Sequence, residues 1–426
     1  MTEEKRPLDV IIFGATGFTG KYTVLQAIKL LDGLKWGVAG RNKDKLISVL
    51  NWASTDLAEI PIVIADVKDP ESLNAMAKQC RIVVNCCGPY RFFGEQVVKA
   101  CVEAGTHHVD VSGEPQYMER MQLLYHEKAQ EKGVYIVSAC GLDSIPTDLG
   151  TVFLENQFNG VVNSVESFIG VTNKSPNAGG AVIHYGTWES AIYGLAHANE
   201  LRSLRSKLFP VRLPNFQPRL KDRPLVGKVR SLNNSWYVPF PGSDRSVVMR
   251  SQRFFYDNDK KRPIQMKAYV LFNSLLHVIL IGIFGGIFAL MSRFKLGRQL
   301  LLKYPVFFSG GYVSHEGPSE ESMNSTDFAI YLIGEGWAGD KQQLEVTNQL
   351  KTPPEKKIYV KVSGNNPGYG STCVALLLSA TTILNEHAKM PSTGGVYPPG
   401  AAYYKTNLIE ELCKHGLKFE VIEKPK

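Results

Sequence analysis

The stretch "IIFGATGFTGKYT", residues 11–23, decides how the first part of the chain folds. An apolar run ends at Gly14, and Gly17 and Gly20 follow at three-residue spacing. Such glycines let the backbone turn tightly and approach a pyrophosphate, while a helix that starts at the turn points free N–H groups at it. The stretch therefore predicts a buried strand, a dinucleotide-binding loop and a helix from about Thr19 to Leu31.

The rest of the first 148 residues repeats this alternation. Helical segments separate further strand-like segments, which lie at 35–41, 60–66, 81–88, 107–113 and 133–140. Strands that alternate with helices at this pace predict an α/β fold with a doubly wound parallel sheet. Asn42 is placed to cap the helix that follows the second strand.

The pattern changes from about residue 149. Strand-like pieces separated by long loops predict a second, α+β domain over 149–368, with an insertion at 200–305. Residues 369–426 return to helices and end in a strand.

Residues at the ends of the predicted strands select the nucleotide. An NAD site usually has an acidic residue about 20 residues beyond the glycines, but this chain has Arg41, which suits a 2′-phosphate. We therefore expect NADP(H) in preference to NAD(H), with Asp66 near the adenine and the turn at 86–90 beside the cofactor. The predicted cofactor-binding residues are Gly14, Ala15, Thr16, Gly17, Phe18, Thr19, Gly20, Arg41, Asn42, Asp66, Cys87, Gly88, Pro89 and Tyr90.

Composition limits the remaining classes of protein. The seven cysteines include no CxxC pair, and His107 and His108 have no partners at zinc-like spacing, so we expect buried thiols and no metal site. The charged residues 1–10 lead directly into a strand, which predicts an intracellular protein without a signal peptide.

Positive charge is concentrated in one block. Residues 200–267 hold 16 Lys and Arg against 5 Asp and Glu, whereas the whole chain has a net charge of +8. Nucleic acid and an anionic membrane surface both suit such a block. The uncharged apolar run at 268–291 that follows favours lipid over nucleic acid.

That apolar run is long enough, at about 36 Å as a helix, to cross a bilayer. Basic residues flank it on both sides, namely Lys260, Lys261, Arg262, Lys267, Arg293, Lys295, Arg298 and Lys303. Because the chain must return to the same domain, we expect a hairpin that bends near Gly285–Gly286 and enters a lipid monolayer or membrane surface. A buried core helix or a homodimer interface is the alternative.

Longer motifs resemble one family. The segments "GATGFTG", "VVNCCGPYRFFGEQVVKACVEAGTHHVDVSGE", "ACGLDSIPTDLG" and "GGVYPPGAAYYKTNLIEELCKHGLKFEV" are similar to the saccharopine dehydrogenase-like oxidoreductases. The resemblance implies a Rossmann domain interrupted by a substrate domain, with the C-terminal helices and strand packed back on the Rossmann domain. It also implies that the turn at 86–90 lies on the nicotinamide side and that 141–148 lines the substrate cleft.

Hydride transfer needs one group to handle a proton. Asp110 and Asp143 follow the fifth and sixth strands, at the sheet edge where such sites form, although either also suits a turn or cap.

Three hypotheses about function follow. The first is an NADP(H)-dependent oxidoreductase, on a lipid droplet or a membrane surface facing the cytosol, that acts on a hydrophobic carbonyl or enoyl substrate. The second is a non-catalytic lipid-droplet scaffold or redox sensor that binds nucleotide, and the third is an amino-acid-conjugate reductase of the saccharopine type. Mitochondrial association is left open.

Overall fold

The computed structural model describes residues 6–175, 180–339, 350 and 352–424. Its first domain contains strands β1 to β6, which are Leu8–Phe13, Trp36–Gly40, Ile62–Ile64, Cys80–Asn85, His107–Asp110 and Tyr135–Val137. The helices α1 to α5 that alternate with them are Phe18–Leu30, Lys43–Ala53, Pro70–Lys78, Tyr90–Ala104 and Pro115–Glu131.

Together with a seventh strand from the C-terminal part of the chain, β15 (Gly395–Tyr397), these strands form a parallel sheet. Its order is β15-β6-β5-β4-β1-β2-β3. Strand β1 explains why the predicted strands are apolar throughout. Val10 and Ile12 pack into the core on one face of the sheet, and Ile11 and Phe13 pack into the core on the other. Burial on both faces is typical of a doubly wound sheet, so the predicted α/β fold class is confirmed.

The seventh strand, β15 (Gly395–Tyr397), was missed in the sequence. It pairs with β6, more than 250 residues earlier in the chain. Nothing local in "GVY" indicates this partner. The pairing shows that the C-terminal part of the chain completes the first domain.

Helix α6 (Ile145–Gln157) leads into the second domain. The middle of the chain contains strands β7 to β11, which are Gly160–Asn173, Ile183–His184, Gly227–Val229, Ser235–Pro239 and Gln265–Phe272. It also contains helices α7 to α9, which are Tyr185–Ala196, Glu200–Leu208 and Asp244–Asp259.

The chain continues through helices α10 to α13, which are Leu275–Arg293, Lys295–Lys303, Pro305–Phe308 and Glu320–Asn324. Strands β12 to β14 are Val313–Ser314, Thr326–Ala338 and Lys356–Asn365. The C-terminal elements are α14 (Thr372–Glu386), β15, α15 (Pro399–Tyr403), α16 (Leu408–Lys414) and β16 (Lys418–Ile422).

The second sheet is mixed and has the order β16-β14-β13-β7-β11-β10-β9, with β7 and β11 parallel to each other. Its last strand corrects one prediction. β16 pairs with β14 of this sheet and does not pack on the first domain. The physical reason is that β14 has an open edge whose backbone groups β16 satisfies.

The boundary of the predicted apolar insertion is also corrected. Residues 268–272 belong to β11, a strand between β7 and β10, so the run at 268–291 joins a buried strand to a separate helix. A strand buried inside a sheet is as apolar as a membrane segment, which is why the sequence did not separate the two.

Candidate functional site

The turn between β1 and α1 has the shape that a dinucleotide loop needs. Gly14 has a φ of +77°, and a Cβ added at Gly20 would lie 2.2 Å from the Gly14 carbonyl oxygen. The N–H of Gly17 donates to that same oxygen at 2.9 Å. Helix α1 begins with neither a side-chain cap nor an acidic residue in its first turn, so its positive end is uncompensated. This cradle fits a pyrophosphate.

The turn after β4 lies directly against this loop. A Cβ at Gly14 would come within 3.0 Å of the Cys87 nitrogen, and the Cys86 N–H donates to Phe13 O at 2.8 Å. Burial raises the pKa of the Cys87 thiol to about 11, while the charge of Arg41 acts in the opposite direction. The predicted residues of the two turns, Gly14 and Cys87, therefore meet at one edge of the sheet, within reach of the Arg41 charge.

Arg41 is exposed at the end of β2, and within the described ranges no carboxylate lies at ion-pair distance from it. Its guanidinium is thus available for a 2′-phosphate. The two neighbouring candidates have local roles. Asn42 caps α2 through its Oδ1, which accepts from Lys45 N at 2.9 Å, as predicted. Asp66 Oδ1 accepts from Lys68 N at 3.0 Å.

Two of the predicted cofactor-binding residues, Phe18 and Tyr90, have aromatic rings that pack against other parts of the protein. The Phe18 ring stacks on His184 at 4.9 Å and packs edge-on against Tyr369 at 4.5 Å, where it joins the two domains. The Tyr90 ring is buried, and its hydroxyl donates to Asn85 O at 2.9 Å. Both aromatic side chains are used by the fold, because apolar surface at a domain junction gains most from burial. The Phe18 ring remains partly exposed, whereas the buried Tyr90 ring leaves only the backbone of that residue to face a nucleotide.

Asp110, which was predicted to handle a substrate proton, is held in place by the fold. Its carboxylate is fully buried. One oxygen accepts from the N–H groups of Ser112 and Ala139, and the other accepts from the hydroxyls of Tyr117 and Ser138. Burial raises the pKa of Asp110 to about 6, although these four hydrogen bonds lower it. We infer that Asp110 ties together the loops after β5 and β6.

Asp143 has a different environment. Water reaches its side chain, yet protein surrounds it closely, and this loss of hydration raises its pKa to about 6. Its carboxylate fits between two glycines, because a Cβ at Gly113 or at Gly242 would lie 2.7 Å from one of its oxygens. Ser243 Oγ donates to Oδ2 at 3.0 Å. An accessible carboxyl with a raised pKa in a cleft is a candidate proton carrier.

Glu114 is a site residue that the sequence did not indicate. Its two oxygens accept from the N–H groups of Tyr90 and Arg91, at 2.8 and 3.0 Å, so it caps α4 from the loop after β5. Ser190 of α7 donates to the same carboxylate at 3.1 Å. Burial raises the pKa of Glu114. Its position immediately before Pro115 gave only a weak signal of a helix start.

Helix α7 bridges the two turns of the cofactor site. At its start, His184 stacks on Phe18, and one and a half turns later Ser190 bonds to Glu114. Glu189, also on α7, has a pKa raised first by burial and then by the charge of Glu114. Tyr185 stacks on His315 at 4.0 Å. Of these titratable groups, Glu114 bonds directly to the predicted nicotinamide-side turn and Glu189 lies near Glu114, and the sequence indicated none of them.

The other side of α7 carries α10, and here the predicted hairpin is wrong. Residues 275–293 form one continuous helix that passes through Gly285 and Gly286 without a bend. Glycine tolerates a helix interior at a cost of about 1 kcal/mol, which the neighbouring apolar residues can offset. Both ends of α10 are held against the protein, through buried Val278 and Ser292, so the flanks lie on the same side as expected.

Most of α10 is exposed. Leu276, Ile283 and Leu290 lie seven residues apart, on one face of the helix, and are 62%, 55% and 57% exposed. The next elements extend this surface, since Phe294, Leu296 and Phe307 are exposed as well. We call residues 275–308 with these side chains the apolar surface. The alternative of a core helix is contradicted within this chain, whereas a homodimer interface stays a prediction.

The basic residues before α10 do not flank it. Lys261 pairs with Glu155 and Lys267 pairs with Asp222, while buried Arg262 donates to Asn163 Oδ1. Their partners lie in α6, in the loop at Asp222 and in β7, so these residues are held by the body of the second domain. The basic residues that do lie within the apolar surface are those at the end of α10 and in α11, namely Arg293, Lys295, Arg298 and Lys303.

Among the residues that the structure covers, no group of three His, Cys, Asp or Glu side chains could hold a metal ion. Two helical segments there are long and apolar enough to cross a membrane, Leu275–Arg293 and Pro367–Lys389, and the second is mostly buried.

The parallel sheet, the glycine cradle and the exposed arginine define a Rossmann-type NADP-binding protein of the dehydrogenase class. Residues 10–137 match the family model described as the saccharopine dehydrogenase NADP binding domain, which confirms the prediction of NADP(H). The chain is 43% identical to the human saccharopine dehydrogenase-like oxidoreductase over 99% of both chains. It therefore belongs to the saccharopine dehydrogenase-like oxidoreductase family.

Two other similarities bear on the fold and the surface. The chain is 35% identical to a Caenorhabditis elegans protein named "Lipid droplet localized protein", over 97% of this chain and 98% of that one. The structure of saccharopine dehydrogenase (L-Glu forming) from Saccharomyces cerevisiae superposes with a TM-score of 0.55 at 12% identity, covering 98% of this chain and all of that one. This last similarity concerns the fold alone.

Proposed function

We propose that the protein is an NADP(H)-dependent oxidoreductase that works at a lipid surface on a hydrophobic carbonyl or enoyl substrate. The observation that carries the proposal is the position of α7. One side of this helix bonds to the nicotinamide-side turn through Ser190 and Glu114, and the other side packs on α10, with the Trp188 and Phe288 rings 4.5 Å apart. Helix α7 thus contacts both the predicted nicotinamide-side turn and the apolar surface.

The residues of the candidate site have two roles, which are cofactor binding and proton transfer. Gly14, Gly17 and the start of α1 hold the pyrophosphate, and Arg41 holds the 2′-phosphate. When bound, the nicotinamide ring supplies or accepts a hydride. Asp143 carries the proton that balances this hydride: with its pKa near 6 it can hold a proton on the oxygen beside Gly242 while Ser243 orients the other.

The apolar surface supplies the contact with lipid. Because both ends of α10 are anchored on the same domain, the helix lies along the surface of the protein, which suits shallow insertion into a monolayer and does not suit a crossing. The basic residues after α10 add about 1 kcal/mol each near anionic headgroups. The name of the C. elegans relative supports a lipid droplet as the location.

The decisive experiment measures NADPH oxidation by the full chain against long-chain enones, ketones and aldehydes dispersed in a phospholipid monolayer on oil droplets. We expect turnover of at least one substrate, with loss of NADPH binding and turnover in Gly20→Val, whose side chain would collide with Gly14 O. Asp110→Asn is not a useful control because it disturbs the fold. NADPH binding without turnover of any substrate favours the scaffold or sensor. Turnover of a soluble amino-acid conjugate alone favours the saccharopine-type reductase.

A second experiment tests attachment to lipid. Leu276→Ser, Ile283→Ser and Leu290→Ser together remove about 1 kcal/mol each of apolar burial, so droplet binding should weaken about 100-fold. The matched control changes three exposed apolar residues elsewhere, Val171, Val211 and Leu225, to Ser and should bind like the wild type. Equal binding by both variants would contradict the role of α10. Fluorescent fusions in cells would then distinguish droplets from mitochondria.

A further inference from the structure

A second cavity lies away from the cofactor cleft. It has a volume of about 400 Å³ and is walled by α5, by α9 and by residues 389–405. None of the residues that line it belongs to the glycine loop, to the turn at 86–90 or to the surroundings of Asp143. Cavities of this size suit a small metabolite.

The cavity wall contains a buried cation, Arg250, that forms no direct ion pair within the described residues, although the more distant charges of Glu119, Asp148 and Asp110 act on it. Arg250 is only 5% exposed, its Nε donates to the neutral amide oxygen of Gln122 at 2.8 Å, and its Nη1 has no hydrogen-bond partner. Across the described part of the chain, no carboxylate lies within ion-pair distance of it. Burial lowers the pKa of Arg250 to about 10, so the side chain stays charged at neutral pH.

A buried charge without a direct ion pair is costly, and an anion bound beside it removes part of that cost. Guanidinium groups bind carboxylates and phosphates in two-point fashion. The charge of the wall agrees with this, because four cations line the cavity, Arg250, Arg253, Lys389 and Lys405, against two carboxylates, Asp257 and Asp259. Arg253 is already paired with Asp257 at 2.6 Å and Lys389 with Glu386 at 2.7 Å, so Arg250 is the buried cation of the wall without a direct ion pair.

The cavity wall also contains aromatic side chains. Phe254 packs against Tyr397 with ring centroids 5.5 Å apart, and Tyr404 lies next to them. His126 lines the cavity too, and its Nδ1 lies within hydrogen-bond distance of both the N–H and the carbonyl oxygen of Val396, at 3.1 and 3.2 Å. Aromatic side chains beside a guanidinium suit a ligand that joins a flat apolar body to an anionic group.

We propose that this cavity is a second ligand site, separate from the cofactor cleft, for a small organic anion with a planar body and a phosphate or carboxylate group. Arg250 binds the anionic group, and the rings of Phe254, Tyr397 and Tyr404 contact the planar body. The site does not depend on the function proposed above.

The experiment titrates the full-length protein, with NADP⁺ at saturation to fill the cofactor site, and follows binding by ligand-observed NMR and calorimetry. The probes are phenyl phosphate, phenylacetate and inorganic phosphate. We expect phenyl phosphate or phenylacetate to bind with a Kd below about 1 mM, since drug-like fragments gain affinity from each buried atom, and inorganic phosphate to bind more weakly. Arg250→Met should weaken binding at least tenfold, whereas Arg230→Met, an exposed arginine of the same basic block, should not change it.

Two further variants keep the test decisive if Arg250→Met does not fold. Arg250→Lys keeps the charge but loses the two-point geometry and should weaken binding of the organic anions. Phe254→Leu should weaken the organic probes several-fold and leave inorganic phosphate unchanged. The proposal is overturned if none of the probes binds the wild type at 10 mM, if the Arg250 variants bind like the wild type, or if NADP⁺ displaces the probe.

Discussion

Helices α10 and α14 are both strongly apolar, but one is exposed and the other is buried. Both lie in segments that are apolar and long enough to cross a membrane, yet 11% of the most apolar stretch of α10 is buried, against 78% of that around α14. Helix α14 packs between the parallel sheet and α1, with Cys373 donating to Thr19 O at 3.6 Å. In α10, a Cβ at Gly282, Gly285 or Gly286 would meet nothing within 4 Å.

The difference shows that apolar composition reports a need for burial and not the partner that satisfies it. For α14 the partner is the first domain itself. For α10 no described part of the chain covers most of the helix, and we propose that lipid or a second copy does. Each prediction below tests one side of this contrast.

The largest effect is expected from a charge placed on each helix. Leu377 of α14 is fully buried, so Leu377→Asp should lower the free energy of unfolding by more than about 4 kcal/mol, because the carboxylate has no partner. Ile283→Asp on α10 should change it by less than about 0.5 kcal/mol. Urea unfolding followed by circular dichroism measures both. A large loss for Ile283→Asp would mean that α10 is covered in solution.

The second effect concerns Asp143, the candidate proton carrier. Its pKa is raised to about 6 in the folded protein, above the usual value near 3.9, so it is protonated below pH 6 and loses its proton above it. If it donates the proton in the reducing direction, the rate should be full below pH 6 and fall as the pH rises through 6. Asp143→Asn should reduce the rate about 100-fold or more and flatten this dependence.

The control for that experiment is NADPH affinity, which Asp143→Asn should leave within about twofold, since this residue lies outside the glycine loop. A normal rate and an unchanged pH profile in Asp143→Asn would assign the proton to another group. Tyr185, Glu189 and His315 would then be the next to test.

The third effect isolates the cofactor loop from the lipid surface. Arg41→Asp should weaken NADPH binding by tenfold or more and NADH binding by less than threefold, because only NADPH carries the 2′-phosphate. Droplet binding should not change. Fluorescence titration of the two cofactors measures the ratio, and equal losses for both would show that Arg41 does not bind the 2′-phosphate.

The smallest effect tests how firmly α10 and α11 are held on α7. Trp188 donates from Nε1 to Leu301 O at 3.0 Å. Trp188→Phe keeps the ring contact and removes this hydrogen bond, worth about 1 kcal/mol, so amide exchange in α11 should be about fivefold faster. Trp236→Phe, in the second sheet, should leave that exchange unchanged. Equal exchange rates in the two variants would mean that α11 is held by apolar contacts alone.

The chain's local pattern was enough to establish the first sheet, its glycine loop, the cap at Asn42 and the nucleotide. Each of these depends on residues a few positions apart, whose backbone conformation and periodicity are fixed by their own side chains. The length of the apolar run that contains α10 was equally visible, as was its lack of charge.

Only the tertiary structure decided which carboxylate is accessible, where β15 and β16 pair, and that α10 is straight and exposed. Asp110 and Asp143 both follow a strand of the same sheet, yet the partners that distinguish them come from elsewhere: Ser243, which orients Asp143, is 100 residues away in the chain. Glu114 acquires its role from Tyr90 and Ser190, and the burial of Arg250 against the neutral amide of Gln122 depends on what folds around it. Such contacts depend on how whole elements pack, and no local pattern of side chains encodes them.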